Sequence, residues 1–350
     1  MKELELSLET DAKGLLQGLI DAPAGIDYSE VHHASFGREG DSLINIARRE
    51  ETVKQLIVQF AMQGFYVYRK TDTSTRLVKD HTISKLWHRV RNGEYTVGPE
   101  GLIYSYTPPI TDSPVPKLLV IFSSMSTSIY DTSMMRYFEQ NFRSAQKYIP
   151  HDTGVLRIAD IGGVVGAFYL NTHRNPQNVV RVQNLLNRVR TEHGIPSDNV
   201  ILYGASKGGT GALFHGITGG YRFIAVDPIV SDAYYVHKYR DSHFTMGGIF
   251  ERSKDVVFSE LVKNCSDHTS FGSGTRAAGS VIYSERSPQY SAVTQILAEP
   301  LVNRIAFFNS RHPGINDHPD VSPKTLNLAT MLMNIFFLNE DLRPGLRLVP

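Results

Sequence analysis

The chain has 350 residues, 41% of them hydrophobic and 20% charged. This excludes intrinsic disorder and collagen-like repeats and leaves room for one large domain with an extension, or for two domains. Lys plus Arg (36) and Asp plus Glu (35) nearly cancel, to a formal charge of +1, so no basic field exists to gather nucleic acid or anionic lipid. Cys265, the one cysteine, has no intrachain partner, and no Cys/His spacing resembles a structural zinc site. The redox reading is therefore cytoplasmic, with no metal expected.

The start, Met1-Lys2-Glu3-Leu4-Glu5-Leu6, alternates acidic and apolar residues and lacks an apolar run behind a basic end, so no secretory signal is expected. Residues 1–93 read as a mostly helical region. Ile46, Val53, Ile57 and Phe60 keep helical spacing, Gly64 stands where a helix would stop, and a short strand, Phe65 to Tyr68, follows. Tyr95 to Val97 and Leu102 to Tyr106 flank Gly98-Pro99-Glu100-Gly101, which is hairpin chemistry. Pro108, Pro109, Pro114 and Pro116 then make an irregular connector.

From residue 117 the pattern changes to short continuous apolar runs: Leu118 to Phe122, Val155 to Ala159, Val200 to Tyr203, Phe223 to Val226, Ser280 to Tyr283 and Arg304 to Phe308. Such runs are strands buried on both faces of a parallel sheet. Together with the hairpin they predict an α/β fold with a mostly parallel sheet of about eight strands and helices on both faces. Val179, Val182, Leu186 and Val189, ending at His193-Gly194, predict a crossover helix. Residues 232–278 break the rhythm as an insertion over the sheet. Its Tyr234, Tyr235, His237, Tyr239 and Phe244 suit either stacking on sugar rings or lid packing. Ser322 as N-cap and Pro323 at the first helical position announce a last helix with Leu328, Leu332 and Ile335 on one face. The apolar stretch from Thr325 to Asn339 is shorter than the ~20 residues of a spanning helix, and no transmembrane segment is expected.

The segment that carries chemistry is Asn199 to Gly211. It runs from a strand through Gly204-Ala205-Ser206-Lys207-Gly208 into a small-residue helix start, the context of a nucleophile elbow. A turn this sharp strains the serine backbone and leaves no room for side chains at 204 and 208. Ser206 is the expected nucleophile, with the Lys207 N–H facing a developing oxyanion at the helix N-terminus. A phosphate loop is rejected, because Lys207 precedes the glycines and does not follow them.

A serine hydroxyl needs a histidine base oriented by a carboxylate. On this topology both lie downstream, in the order serine, acid, histidine. After the last apolar run come His312 and His318; His318, beside the final helix, is favoured, with His312 the alternative. A metal shared by His312, His318 and Asp320 lacks a third strong ligand and ranks well below the base role. For the acid, Glu285 ends the penultimate strand, and Asp227, in Ala225-Val226-Asp227-Pro228, is the competitor, with Asp232 more distant. A second oxyanion donor is expected from the Ser124 or Met125 N–H, in the small-residue loop after the first parallel strand. Ile161-Gly162-Gly163-Val164-Val165-Gly166 lacks a following helix, which argues against a dinucleotide loop and for a pocket floor or rim.

Tyr203 to Gly209, Phe223 to Ile229 and Asn316-Asp317-His318 carry a resemblance. Over most of its length the chain resembles the XcbB/CpsF-type capsular polysaccharide biosynthesis proteins, and residues 94–350 look like an α/β-hydrolase catalytic domain. The first likeness implies a cytoplasmic role in making or modifying a capsule polymer. The second implies acyl-ester chemistry through an acyl-serine. Capsule O-acetyltransferases of this fold use a Ser-His-Asp triad and acetyl-coenzyme A, which carries over to Ser206 and His318 and departs at the acid. The expectation is a serine acyltransferase or esterase acting on a polysaccharide or oligosaccharide. No cofactor would be tightly bound, acetyl-coenzyme A would be a candidate donor, and capsule assembly proteins would be candidate partners. The alternative is a non-catalytic scaffold of the same fold in a capsule assembly complex.

Overall fold

The computed structural model describes residues 2–9, 12–20, 25–36, 38–126, 128–267 and 276–350. Two sheets organise them. The first pairs β1 (Glu3–Ser7), β2 (Tyr28–His32), β3 (Phe65–Lys70) and β4 (Ser74–Lys79) in the order β1-β2-β4-β3. The second contains β5 (Thr96–Val97), β6 (Ile103–Thr107), β7 (Lys117–Phe122), β8 (Thr153–Ile158), β9 (Val200–Ala205), β10 (Arg222–Val226), β11 (Gly279–Tyr283), β12 (Ala306–Ser310) and β13 (Gly345–Val349). Its order is β13-β12-β11-β10-β9-β7-β8-β6-β5. From β8 to β13 every neighbouring pair is parallel, whereas β5–β6 and β6–β8 are antiparallel.

The fold is α/β around a mostly parallel sheet of nine strands, one beyond the expected eight. That strand, β13, alternates half-buried and exposed residues and lies parallel to β12 at the sheet edge. An edge strand buried on one face lacks the continuous apolar run that marked its neighbours. Alternation splits β7 between two cores. Leu118, Val120 and Phe122 pack with Val182, Leu185, Leu186 and Val189 of the crossover helix Asn178–Glu192. Leu119 and Ile121 face Ala329, Leu332, Met333 and Phe336 of the helix Leu326–Phe337.

The N-terminal region is mixed: helices Ala12–Ile20, Leu43–Ala47, Glu51–Met62, Asp80–Leu86 and His88–Arg91 accompany the four-stranded sheet. The sequence hides β2 and β4 because both carry polar residues, some of them buried, such as Ser29, Glu30, Ser74 and Thr75. Two features join this region to the larger sheet. Val164, Val165, Phe244 and Ile249 enter its apolar core. Arg136, fully buried, donates from Nη1 to the Val67 carbonyl (2.7 Å), from Nε to the Val164 carbonyl (3.1 Å) and from Nη2 to the Tyr137 hydroxyl (2.9 Å).

The expected N-cap at Ser322 is corrected. Helix His318–Lys324 starts earlier, capped by Asp317, whose carboxylate accepts the His318 N–H while Asp320 accepts the Asp317 N–H. Pro323 lies inside that helix, and a further helix begins at Leu326. The insertion supplies helices Ala233–Tyr239 and Lys254–Asp267, and its part at 268–275 lies outside the described residues. Among the described residues no helix is long and apolar enough to cross a membrane.

His215, on the helix Lys207–Gly219 that follows β9, is wholly buried. It donates from Nε2 to the Tyr169 carbonyl and accepts the Gln183 amide at Nδ1, both at 3.0 Å. Burial holds its pKa down at about 4. An unfolded imidazole titrates near ~6.5, so below that pH the unfolded chain binds a proton that the folded chain refuses. Stability present above pH ~6.5 is therefore lost as the pH falls towards 4, by up to ~3 kcal/mol. Urea midpoints should decline across that window, and the decline should be smaller in His215→Gln; equal declines in the two proteins would contradict this account.

Candidate active site

Strand β9 runs straight into the helix Lys207–Gly219 through Ser206, whose φ of 55° and ψ of −122° are strained for a residue with a side chain. The junction closes only because its neighbours are glycines. A Cβ at Gly204 would meet the Gly208 carbonyl oxygen at 2.0 Å, and one at Gly208 would meet the Phe122 carbonyl oxygen at 2.3 Å. The elbow geometry expected from the sequence is present, and it lifts the Ser206 hydroxyl into a cleft of about 1230 Å³.

The Ser206 hydroxyl lies 2.8 Å from His318 Nε2, and His318 Nδ1 lies 2.6 Å from Asp227 Oδ2. Asp227 closes β10 in a left-handed conformation (φ 45°), with its N–H donated to the Ile282 carbonyl at 2.7 Å. The Ser287 hydroxyl donates to the same Oδ2 at 2.5 Å, and the carboxylate is buried. Because a carboxylate holds Nδ1, that nitrogen carries the proton and Nε2 is left to accept one from the serine.

Glu285, the first choice for the acid, is corrected. Its side chain is 42% exposed, on the turn after β11, and lies 3.7 Å from Arg311, whereas the carboxylate at His318 is that of Asp227. The carboxylate comes instead from the strand directly after the elbow helix. His312 is likewise not brought to Ser206; its Nδ1 accepts the Gly314 N–H at 3.0 Å. Asp232 pairs with Lys254 at 2.7 Å.

Two backbone amides remain as candidates for the oxyanion hole. Lys207 is the first residue of its helix, so its N–H has no acceptor within the helix. Of the loop candidates, the Ser124 N–H donates to Asn141 Oδ1 at 2.8 Å, which removes it as an oxyanion donor. No acceptor for the Met125 N–H occurs among the described residues, and Met125 lines the cleft. Nothing in the sequence marked Asn141, sixteen residues downstream of Met125, as the residue that would decide between the two.

The Lys207 side chain turns away from the cleft. Its Nζ lies 3.0 Å from Asp160 Oδ2, with both side chains almost completely buried. Burial lowers the lysine pKa and the facing carboxylate opposes that shift. The glycine-rich loop after β8 is not a pocket floor: Val164 and Val165 pack into the N-terminal core, and Gly166 makes room for Lys207.

The cleft has two unlike walls. The insertion contributes Tyr234, Tyr235, Tyr239 and His243, with the Tyr235 ring 6.5 Å from that of His318 and 3.7 Å from that of His243. His237 does not line it. Burial, aided by nearby Lys254, keeps the His243 pKa well below the usual range, so this ring is neutral. The N-terminal region contributes Arg48, Arg49, Lys54 and Lys70, and Lys54 reaches the Arg240 carbonyl of the insertion. Arg49 pairs with Asp41, while Arg48 Cζ lies over the Tyr130 ring, 3.8 Å from its centroid. Among the described residues no His, Cys, Asp and Glu cluster could hold a metal ion.

The sequence matches no protein-family model and no curated protein. Solved structures align with this chain at low identity. A chain of the glycosylation-associated protein complex of Streptococcus agalactiae aligns at 17% identity with a TM-score of 0.49, over 77% of this chain and 52% of that one, about half its length. A fluorophosphonate-binding serine hydrolase of Staphylococcus aureus aligns at 14% identity and 0.47, over 68% and 96%. The capsule O-acetyltransferase of Neisseria meningitidis serogroup A aligns at 15% identity and 0.45, over 67% and 92%. At such values the chemistry has to be read from this chain's own side chains.

If Asp227 orients the base, Asp227→Asn should slow the reaction of Ser206 with a fluorophosphonate by about a thousandfold or more, because the amide favours the wrong imidazole tautomer. Glu285→Gln should leave the rate within about twofold, as expected of an exposed surface change. Stopped-time labelling followed by intact mass measures both rates, and the reverse ranking would return the acid role to Glu285.

Proposed function

We propose that this chain is a serine acyltransferase or esterase that works through an acyl-Ser206 intermediate. The observation that carries the reading is the continuous hydrogen-bonded path from Ser206 Oγ through His318 to Asp227, at 2.8 and 2.6 Å, on a strained elbow. Ser206 Oγ attacks the acyl carbonyl carbon while His318 Nε2 takes the hydroxyl proton. The tetrahedral oxyanion is held by the Lys207 and Met125 N–H groups, each such donor being worth ~3 kcal/mol to the transition state. Collapse breaks the bond to the leaving group, which takes the proton from His318. An acceptor hydroxyl, or water, then gives its proton to His318 and attacks the acyl carbon; collapse breaks the bond to Ser206 Oγ, which takes the proton back from His318.

The acceptor we favour is a sugar hydroxyl of an oligosaccharide or polysaccharide. A large cleft with a tyrosine-rich wall supports this choice, since aromatic faces suit sugar rings and the volume exceeds the needs of a small ester. Acetyl-coenzyme A is the proposed donor. Arg48, over the Tyr130 ring and with no carboxylate partner among the described residues, offers a planar donor group of the kind that grips phosphate. A role in capsule polymer modification, inside the cytoplasm, completes the proposal and follows the resemblance described above.

Incubation with acetyl-coenzyme A should release free thiol and give a transient acetyl adduct on the intact chain that is absent in Ser206→Ala and decays faster when acceptor glycan is added. A wild-type chain that forms no adduct with acetyl-coenzyme A or any activated ester would sink the proposal. Arg48→Ala should raise KM for acetyl-coenzyme A by about tenfold, the loss of one charge-assisted contact. An unchanged KM would place the donor elsewhere.

A further inference from the structure

We propose that the buried Lys207–Asp160 ion pair, acting through Tyr169, is a positioning device that fixes the two oxyanion-facing amides, Lys207 and Met125, relative to one another. The proposal rests on the acyl-transfer reading for its meaning in catalysis; the linkage itself is independent of it.

A lysine side chain that is 0% exposed needs a reason. Bringing an ammonium and a carboxylate into the interior costs several kcal/mol per ion, and well-packed apolar residues would serve stability at least as well. This pair also demands its surroundings. A Cβ at Gly166 would fall 2.5 Å from Asp160 Oδ2 and 2.8 Å from Lys207 Nζ, so the loop after β8 passes over the pair as bare backbone at φ 136°.

Asp160 does more than neutralise the lysine. Its Oδ2 also accepts the Phe168 N–H (2.9 Å) and its Oδ1 the Tyr169 N–H (3.0 Å). Those two residues are consecutive and both left-handed, at φ 55° and 61°, a conformation that is strained for residues with side chains and persists only where the surroundings impose it. The carboxylate imposes it, and so sets where Tyr169 stands.

Tyr169 carries the constraint across the sheet. Its hydroxyl donates to the Ile158 carbonyl (2.8 Å) and accepts the Ser123 N–H (2.6 Å), at the root of the loop that bears Met125. Its ring stands edge-on to Phe122, with centroids 4.7 Å apart, and lies where a Cβ on Gly211 of the elbow helix would be 2.6 Å away. Its carbonyl accepts from His215 on that same helix. The route from Lys207 to Asp160, Tyr169 and Ser123 therefore ties one amide donor to the loop of the other, and the His215 bond closes the circuit. An oxyanion donor acts only within a few tenths of an ångström of hydrogen-bond distance, so relaxation of this circuit acts on the transition state and not on ground-state binding.

Three variants test this: Tyr169→Phe, which removes one hydroxyl and no charge; Lys207→Met with Asp160→Asn, which removes both charges together; and Lys207→Met alone. Amide hydrogen exchange should rise at residues 123–126 in all three, although residue 207 lies on another strand-helix unit. Unchanged exchange there in folded Tyr169→Phe and in the double variant would overturn the proposal. In p-nitrophenyl acetate turnover, counted per fluorophosphonate-titrated site, Tyr169→Phe should lower kcat by about ten- to hundredfold with KM within about threefold, and weaken a trifluoromethyl ketone by the same factor as kcat. Wild-type kcat per titrated site and wild-type ketone affinity would also overturn it, since a merely structural role changes the number of sites and not the quality of each. A wild-type chain that takes up no fluorophosphonate sinks the acyl-transfer reading instead, and the exchange measurement then decides the linkage alone.

Discussion

The backbone of Ser206 is the constraint on which the rest depends. A strand buried in mid-sheet must become a helix within one residue, and that residue must be left-handed despite its side chain. Everything packed around it serves that demand: glycines at 204, 208 and 209 because carbonyl oxygens of neighbouring strands and of the helix itself occupy the space a Cβ would need, and parallel strands on both sides to hold β9 rigid. Once the turn is imposed, the hydroxyl projects beyond the carboxyl edge of the sheet. The loops after β7, β10 and β12 open on that same edge and deliver Met125, Asp227 and His318.

How much of this the sequence disclosed follows from where the signals are local. The elbow was legible because its glycines, serine and flanking strand are contiguous, and the central strands because burial on both faces writes an unbroken apolar run. His318 was legible as one of two histidines between the last such run and the final helix. The acid was not, because the choice between Glu285 and Asp227 turns on which strand end curls towards the imidazole, and that rests on the left-handed turn at Asp227 and the Ser287 hydroxyl bound to it. The final helix misled for a local reason. Ser322-Pro323 is a good start signal, but Asp317 and Asp320 form a reciprocal cap five residues earlier, and the proline falls in the first turn's wake, where the chain bends into a second helix.

The N-terminal sheet was the largest omission. Its strands are short, and buried Ser29, Glu30, Ser74 and Thr75 break the apolar pattern, their polar groups satisfied within the sheet: Ser74 and Arg76 hold Glu30, and Thr75 caps Leu43. Such a network stabilises only when complete, and it is invisible to a reading that counts apolar residues. Its consequence is chemical as well as architectural, since the cationic wall of the cleft is made from this region.

Arg136 sets how that wall can behave. Its guanidinium holds a carbonyl on β3 and another on the loop after β8 without a carboxylate, so swinging the two sheets apart would strand a cation and orphan acceptors in a dry seam. The gap between them is thus a fixed jaw rather than a clamshell.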